Sequence, residues 1–234
     1  MQAISATKEC VRARQRAVAR ERHRIRNEPP RLSVGEEVFN AVSHGVGALL
    51  AAAAMTLLLT RSHGGLEVLA SCVYGVSMVF MMLSSCVYHA MPAGSGAKRV
   101  LRRFDYTSIY LLIGGTFAPI LLVYLGGRLG VVLFCVQWGV IALGAVLVAV
   151  FGPGRFRPLH FTLYFLIGWS GLMLIPSFYA HNRPLLWFIL LGGLVYTLGM
   201  IPFARNRKWD HCVWHVLVLA AAALQWMGVY WFIY

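Results

Sequence analysis

Residues 129–151 read Leu129-Gly-Val-Val-Leu-Phe-Cys-Val-Gln-Trp-Gly-Val-Ile-Ala-Leu-Gly-Ala-Val-Leu-Val-Ala-Val-Phe151, an apolar run with no Asp, Glu, Lys, Arg or His. The hydrocarbon core of a bilayer takes about 20 helical residues to cross, so this run reads as one span. Working outward, comparable runs lie at 38–60, 66–90, 104–125, 159–178, 185–203 and 211–233, divided by charged or Gly/Pro-rich breaks. The composition agrees: 59% of the 234 residues are hydrophobic and 12% charged, against about 25% charged in a soluble domain. Backbone groups in lipid must be satisfied within their own segment, and the alternating pattern of a membrane barrel is absent. The fold class is therefore all-α, a polytopic bundle of seven transmembrane helices in which residues 33–234 form one membrane domain.

Residues 1–32 form a basic tail. It carries Lys8, Arg12, Arg14, Arg16, Arg20, Arg22, Arg24, Arg26 and Arg31 and no apolar stretch, which excludes a signal peptide. All but three of the 21 Lys and Arg residues fall in this tail and in alternate loops (Lys98, Arg99, Arg102, Arg103; Arg155, Arg157; Arg205, Arg207, Lys208). Arg61, Arg128 and Arg183 are left for the other side. The imbalance places the N-terminus in the cytoplasm and the C-terminus outside, with the tail against anionic lipid of the inner leaflet. Nucleic acid is not expected as a partner. Cys10, Cys72, Cys86, Cys135 and Cys212 are scattered without paired spacing and imply no disulfide framework.

Ionisable groups inside spans cost several kcal/mol unless paired or hydrated, so those that persist are functional candidates. Here they are Glu36, Glu37, His44, His89, Asp105, His160, His211 and His215. In the topology above every one lies at a cytoplasmic helix end. His63 and His181, in outer loops, read as solvated.

His211 and His215 are four apart on one helix and project from one face, the spacing that offers two nitrogens to one metal. His89 can supply a third. Three neutral imidazoles and a water make an open site suited to zinc (Zn2+) and hydrolysis, set against the bland reading of hydrogen-bonded interfacial histidines. Asp105 reads either as a salt-bridge partner of Arg102 or Arg103 or as a general base. Ser85, one turn before His89, either approaches the same centre or bonds its own i−4 carbonyl. Glu37, Asn40 and His44, with Ser43 adjoining, form a polar stripe that either packs against other helix ends or orients the ligands. Glu36 reads as part of a helix cap. Pro119, Pro176 and Pro202 can kink their spans, and Gly114–Gly115 permit close packing.

These residues, in order and spacing, resemble the progestin and adipoQ receptor superfamily, most closely its bacterial hemolysin III-like branch. The resemblance spans roughly 33–233. It is carried by Glu37-Val-Phe-Asn40-Ala-Val-Ser43-His44, Ser85-Cys-Val-Tyr-His89, Phe104-Asp105-Tyr106-Thr-Ser-Ile with the later Gly114-Gly-Thr-Phe-Ala-Pro119, and His211-Cys-Val-Trp-His215-Val-Leu-Val. It implies a seven-span bundle with its N-terminus inside, zinc held by residues matching His89, His211 and His215, and an aspartate matching Asp105 that reaches the metal through water. The serine matching Ser85 lies near that centre. The family is also similar to alkaline ceramidases, which cut lipid amides. This chain lacks long elements beyond span 7, so hormone sensing is not expected.

The expected function is zinc-dependent hydrolysis of lipid amide or ester bonds at the cytoplasmic leaflet of a bacterial plasma membrane, with Asp105 and Ser85 as catalytic candidates. The alternatives are a non-enzymatic sensor or regulator of membrane lipid built around a structural zinc and, last, a pore-forming cytolysin.

Overall fold

The computed structural model describes residues 2–205 and 207–234, with side chains described from Arg12 onward apart from residue 206. Lys8 and Cys10 therefore lie outside the described side chains. Among the described residues there is no strand.

The basic segment is a helix, α1 (Gln2–Asn27). The spans follow as α2 (Val34–Arg61), α3 (Gly65–Ala90), α4 (Gly96–Pro119), α5 (Gly127–Phe151), a broken fifth span made of α6 (Arg157–Gly168) and α7 (Ile175–His181), then α8 (Arg183–Arg205) and α9 (Asp210–Phe232). Among the described residues, seven helical segments are long and apolar enough to cross a membrane. Large apolar side chains stand exposed on their outer faces, on α5 for example Val132, Val136, Leu143, Val146 and Val150. Apolar surface on that scale belongs against lipid.

Two spans differ from the sequence reading. The third begins at Gly96 rather than Phe104, because the Ser95 hydroxyl accepts from Lys98 N at 3.1 Å and starts the helix a loop-like, basic stretch earlier. Its charges are accommodated by carbonyls: Arg103 donates to Ala149 O at 2.7 Å, and Arg102 to the carbonyls of Asn27 and Glu28, each at 3.1 Å. At the other end Pro119 lacks an N–H for the ladder, and the chain widens into a π-helical turn over Ile120–Leu125 before Gly126 turns it at φ 60°. The fifth span is interrupted by a 3-10 stretch, Trp169–Leu174, after which Pro176 sits in the first turn of α7, where proline is tolerated. Pro202 lies inside α8, which continues to Arg205.

Helix α4 is central. In its span window 67% of residues are buried, against 22% in α5 and α8. Gly114 and Gly115 make this possible: a Cβ on the first would come within 2.4 Å of Ile141 on α5, and one on the second within 2.6 Å of Ser77 on α3. Helix α2 packs on both α3 and α9, and at Gly47 it approaches so closely that a Cβ would lie 2.6 Å from Leu219 and 3.0 Å from Met82. That approach brings the ends of α2, α3 and α9 together.

The last turn of α1 is fastened to protein. His23 Nε2 donates to Phe151 O at 3.0 Å, Asn27 Nδ2 donates to the same carbonyl at 3.1 Å, and Asn27 Oδ1 accepts from Gly154 N at 3.1 Å. Gly154 is required for this fit, since a Cβ there would sit 1.9 Å from Arg26 O. Gly154→Ala should therefore loosen the end of α1. Losing even one such bond, worth about 1 kcal/mol, raises the open population about fivefold, and trypsin cleavage after Arg22, Arg24 and Arg26 in detergent should quicken accordingly, with the seven-span core left intact. Unchanged cleavage would mean that α1 is held by other contacts.

Candidate metal centre

The start of α9 is set by the loop before it. Trp209 adopts a left-handed conformation (φ 66°), and the Asp210 carboxylate accepts from Arg205 Nε and from Arg207 N, each at 2.8 Å. Glu36 joins this loop to α2. Its Oε2 accepts from Ser33 N at 3.0 Å and Ser33 Oγ at 2.6 Å in a capping box, and its Oε1 accepts from Trp209 N at 2.7 Å. The capping role read from sequence is present, and the same carboxylate also fixes the height of α9 against α2.

With α9 so placed, His211 and His215 meet His89 from the end of α3. Ring centroids lie 5.0 Å apart for His89–His211, 4.9 Å for His89–His215 and 4.9 Å for His211–His215, a nearly equilateral triangle. One nitrogen from each comes within 4.8 Å of the others, and this trio could hold a metal ion. His89 and His215 are buried and His211 is half-buried.

Hydrogen bonding assigns the tautomers of two rings. His89 Nδ1 lies 2.7 Å from Glu37 Oε2, and an ionised carboxylate only accepts, so Nδ1 carries the proton and Nε2 presents a lone pair. Ser43 Oγ donates to Asn40 O at 3.1 Å and lies 3.3 Å from His215 Nδ1. Its single proton is spent on Asn40, so it accepts from His215 Nδ1, and again Nε2 is left with the lone pair. His89 Nε2 faces His211 Nε2 at 3.1 Å. Two facing lone pairs repel unless a cation or a proton lies between them, and a divalent ion fits that donor set.

The remaining candidates divide. Asp105 is half-buried and outside the converging trio, with His89, Ser85, Arg102 and Lys98 around its carboxylate. Among the described residues it forms no ion pair, and Arg102 and Arg103 are directed by Nη1 to backbone carbonyls instead, so the salt-bridge reading does not hold. Ser85 is buried, and among the described residues its hydroxyl shows no bond to a backbone carbonyl, unlike that of Ser84, which donates to Met81 O at 3.1 Å. His44 stacks on His215 with centroids 3.7 Å apart and planes at 20°. Among the described residues, neither its ring nitrogens nor the amide atoms of Asn40 have a protein partner, although all are buried. Buried polar groups ordinarily find one, so these two can bond a water or ligand atom beside the histidines. His160 belongs elsewhere: Tyr110 Oη lies 2.9 Å from its Nδ1.

Lys98 reads from sequence as a solvated loop charge, yet its side chain is 1% exposed and its Nζ lies 2.8 Å from Glu37 Oε1. The available signal was the Ser95 cap, which puts Lys98, Arg102 and Asp105 at i, i+4 and i+7 on one face.

The family model described as "Haemolysin-III related" matches residues 32–226. Hemolysin-3 of Bacillus cereus is 33% identical over 208 residues, covering 86% of this chain and 93% of the relative. The Hemolysin-3 homolog of Bacillus subtilis (strain 168) is 32% identical over 196 residues, covering 82% and 91%. The Homo sapiens protein named Monocyte to macrophage differentiation factor is 23% identical over 205 residues, covering 85% of each.

Elemental analysis of detergent-purified protein tests the trio. The expected result is about one transition-metal ion per chain in the wild type, none in His211→Ala and an undiminished content in Asp105→Ala. Loss of metal in the aspartate variant would instead put Asp105 among the ligands.

Proposed function

The chain belongs to the haemolysin-III related family, and on that premise we propose that it is a membrane-embedded, zinc-dependent hydrolase of lipid amide or ester bonds, acting at the cytoplasmic leaflet of a bacterial plasma membrane. The observation that carries this reading is the convergence of His89, His211 and His215 beside Asp105. Their donors suit zinc: Zn–N distances of about 2.0–2.1 Å at a tetrahedral angle separate two nitrogens by about 3.3–3.4 Å, close to the 3.1 Å between His89 and His211.

A second support is the space beyond the histidines. A cavity of about 100 Å³ is lined by Met81, Ile109, Gly168, Gly193, Trp214 and Val218 among others. Trp214 and Val218 share the face of α9 that carries His211 and His215, so the cavity begins about one turn deeper in the bundle. Gly168 and Gly193 mark its wall between the fifth and sixth spans. Cavities of this order bind small apolar groups, and an acyl chain entering from the bilayer would leave its polar linkage at the histidines.

Zinc held by the three imidazoles would supply Lewis acidity toward the scissile carbonyl and a reactive water at neutral pH. Asp105, unpaired and beside His89, takes the proton of the attacking water as general base, and Ser85 orients its carboxylate. Glu37 and Ser43 hold the ligand rings in the tautomers that present Nε2. Asn40 and His44 bond polar atoms of the lipid linkage.

The excess of Lys and Arg on one side supports a cytoplasmic N-terminus, with the arginines of α1 against anionic lipid. Alkaline phosphatase fused after Tyr234 should be active, and the same enzyme fused after Asn27 inactive.

One observation favours a regulator with a structural metal. The histidines, together with Glu37 and Ser43, join α2, α3 and α9, so an ion there would hold three spans together. Fatty-acid release from a panel of N-acyl amides and lipid esters, measured in nanodiscs, separates the two. The hydrolase reading expects turnover that chelation abolishes and zinc restores, lowered about 100-fold or more in Asp105→Ala. Metal retention without turnover on any substrate would favour the regulator. A pore is disfavoured, because the cavity beyond the histidines is mainly apolar.

A further inference from the structure

We infer that Lys98 is a positioning residue of the metal centre: it locks Glu37, and through Glu37 it fixes the nitrogen by which His89 faces the ion. The inference rests on the metal-centre reading and assigns a role to a residue in the first turn of α4 that touches none of the ligand nitrogens.

Lys98 Nζ bonds Glu37 Oε1 at 2.8 Å and donates to Met91 O at 3.0 Å, and it lies 3.5 Å from His89 O and 4.9 Å from the centroid of the Tyr88 ring. An ammonium taken out of water needs such a set of acceptors. Two of them are carbonyls at the C-terminal end of α3, where helix carbonyls lack intrahelical partners and carry partial negative charge. Lys98 therefore caps, from α4, the helix end that bears His89, and in the same contact grips a carboxylate of α2.

Both oxygens of Glu37 are then committed, Oε1 to Lys98 at 2.8 Å and Oε2 to His89 Nδ1 at 2.7 Å. The carboxylate cannot rotate without breaking one of them. Ser33, Glu36 and Trp209 fix the turn of α2 from which Glu37 projects, so its backbone is held as well. The chain Lys98–Glu37–His89 thus runs from α4 through α2 to the ligand on α3. Lys98 also neutralises Glu37, which removes the incentive for that carboxylate to leave His89 and bind the cation itself.

A simple tie between helices would hold the bundle together without affecting the ligand ring, and two readouts distinguish that role from positioning. The first is the affinity and visible spectrum of Co2+ as the probe ion on detergent-purified protein. Lys98→Met should weaken Co2+ binding about 10–100-fold, as loss of an outer partner of a ligating histidine does, and should shift the tetrahedral absorption bands. The double variant Glu37→Gln/Lys98→Met removes both charges but keeps an amide oxygen to accept from His89 Nδ1, and it should regain most of the affinity. It also serves if Lys98→Met alone fails to fold. The second readout is 15N NMR of histidine-labelled, metal-free protein in nanodiscs, in which His89 should be the Nδ1–H tautomer in the wild type and mixed in Lys98→Met.

If the wild type binds no Co2+ or Zn2+, the metal reading falls and the tautomer measurement alone decides the role of Lys98. If the wild type binds and Lys98→Met binds within twofold with an unshifted spectrum, Lys98 is only a helix tie and the inference is overturned. An Nδ1–H tautomer of His89 that is unchanged in Lys98→Met overturns it too.

Discussion

A bilayer supplies little water to an ionisable group inside it, so such a group is costly unless another part of the chain, a water or a ligand meets it. The arrangement of this bundle at the end where α2 begins follows from that demand. Glu36 meets the backbone of Ser33 and Trp209, Glu37 meets an imidazole and an ammonium, and Asp210 meets Arg205 and Arg207. Every one of these contacts joins helices or the loops between them. The polar end is therefore where the spans are registered against one another, while the apolar remainder of each span supplies packing without specifying height.

That division explains what the sequence makes legible. Hydropathy and length are sufficient to find seven spans, because a run such as 129–151 has no alternative that satisfies its backbone in lipid. The ends are harder to read. The third span looks shorter than it is because Lys98, Arg102 and Arg103 resemble loop residues, and only tertiary contacts show that carbonyls and a carboxylate take up their charge. The break in the fifth span falls between Gly168 and Pro176, and proline alone does not announce it: Pro202 lies within a helix that continues.

The site was legible in part for a similar reason. The i, i+4 spacing of His211 and His215 is local information, and a third histidine at the same end completes the trio. What could not be read is which partner each residue chooses. Asp105 could have paired with either neighbouring arginine, and only the tertiary structure shows Arg102 reaching Asn27 and Glu28 and Arg103 reaching Ala149 instead. Glu36 and Glu37, adjacent and chemically alike, take up unlike tasks because helical geometry turns one toward the α8–α9 loop and the other toward α3 and α4.

The contact between His89 and His211 joins residues separated by 122 positions, whereas Glu37, His89 and Lys98 all belong to the first three spans. During synthesis at roughly 5–20 residues per second, about 6–25 s pass between the emergence of one ligand and the other. Throughout that interval the nascent chain holds one member of the trio and lacks the other two. The trio that could hold a metal ion is thus incomplete until the last helix joins the bundle, and its assembly is the closing event of biogenesis.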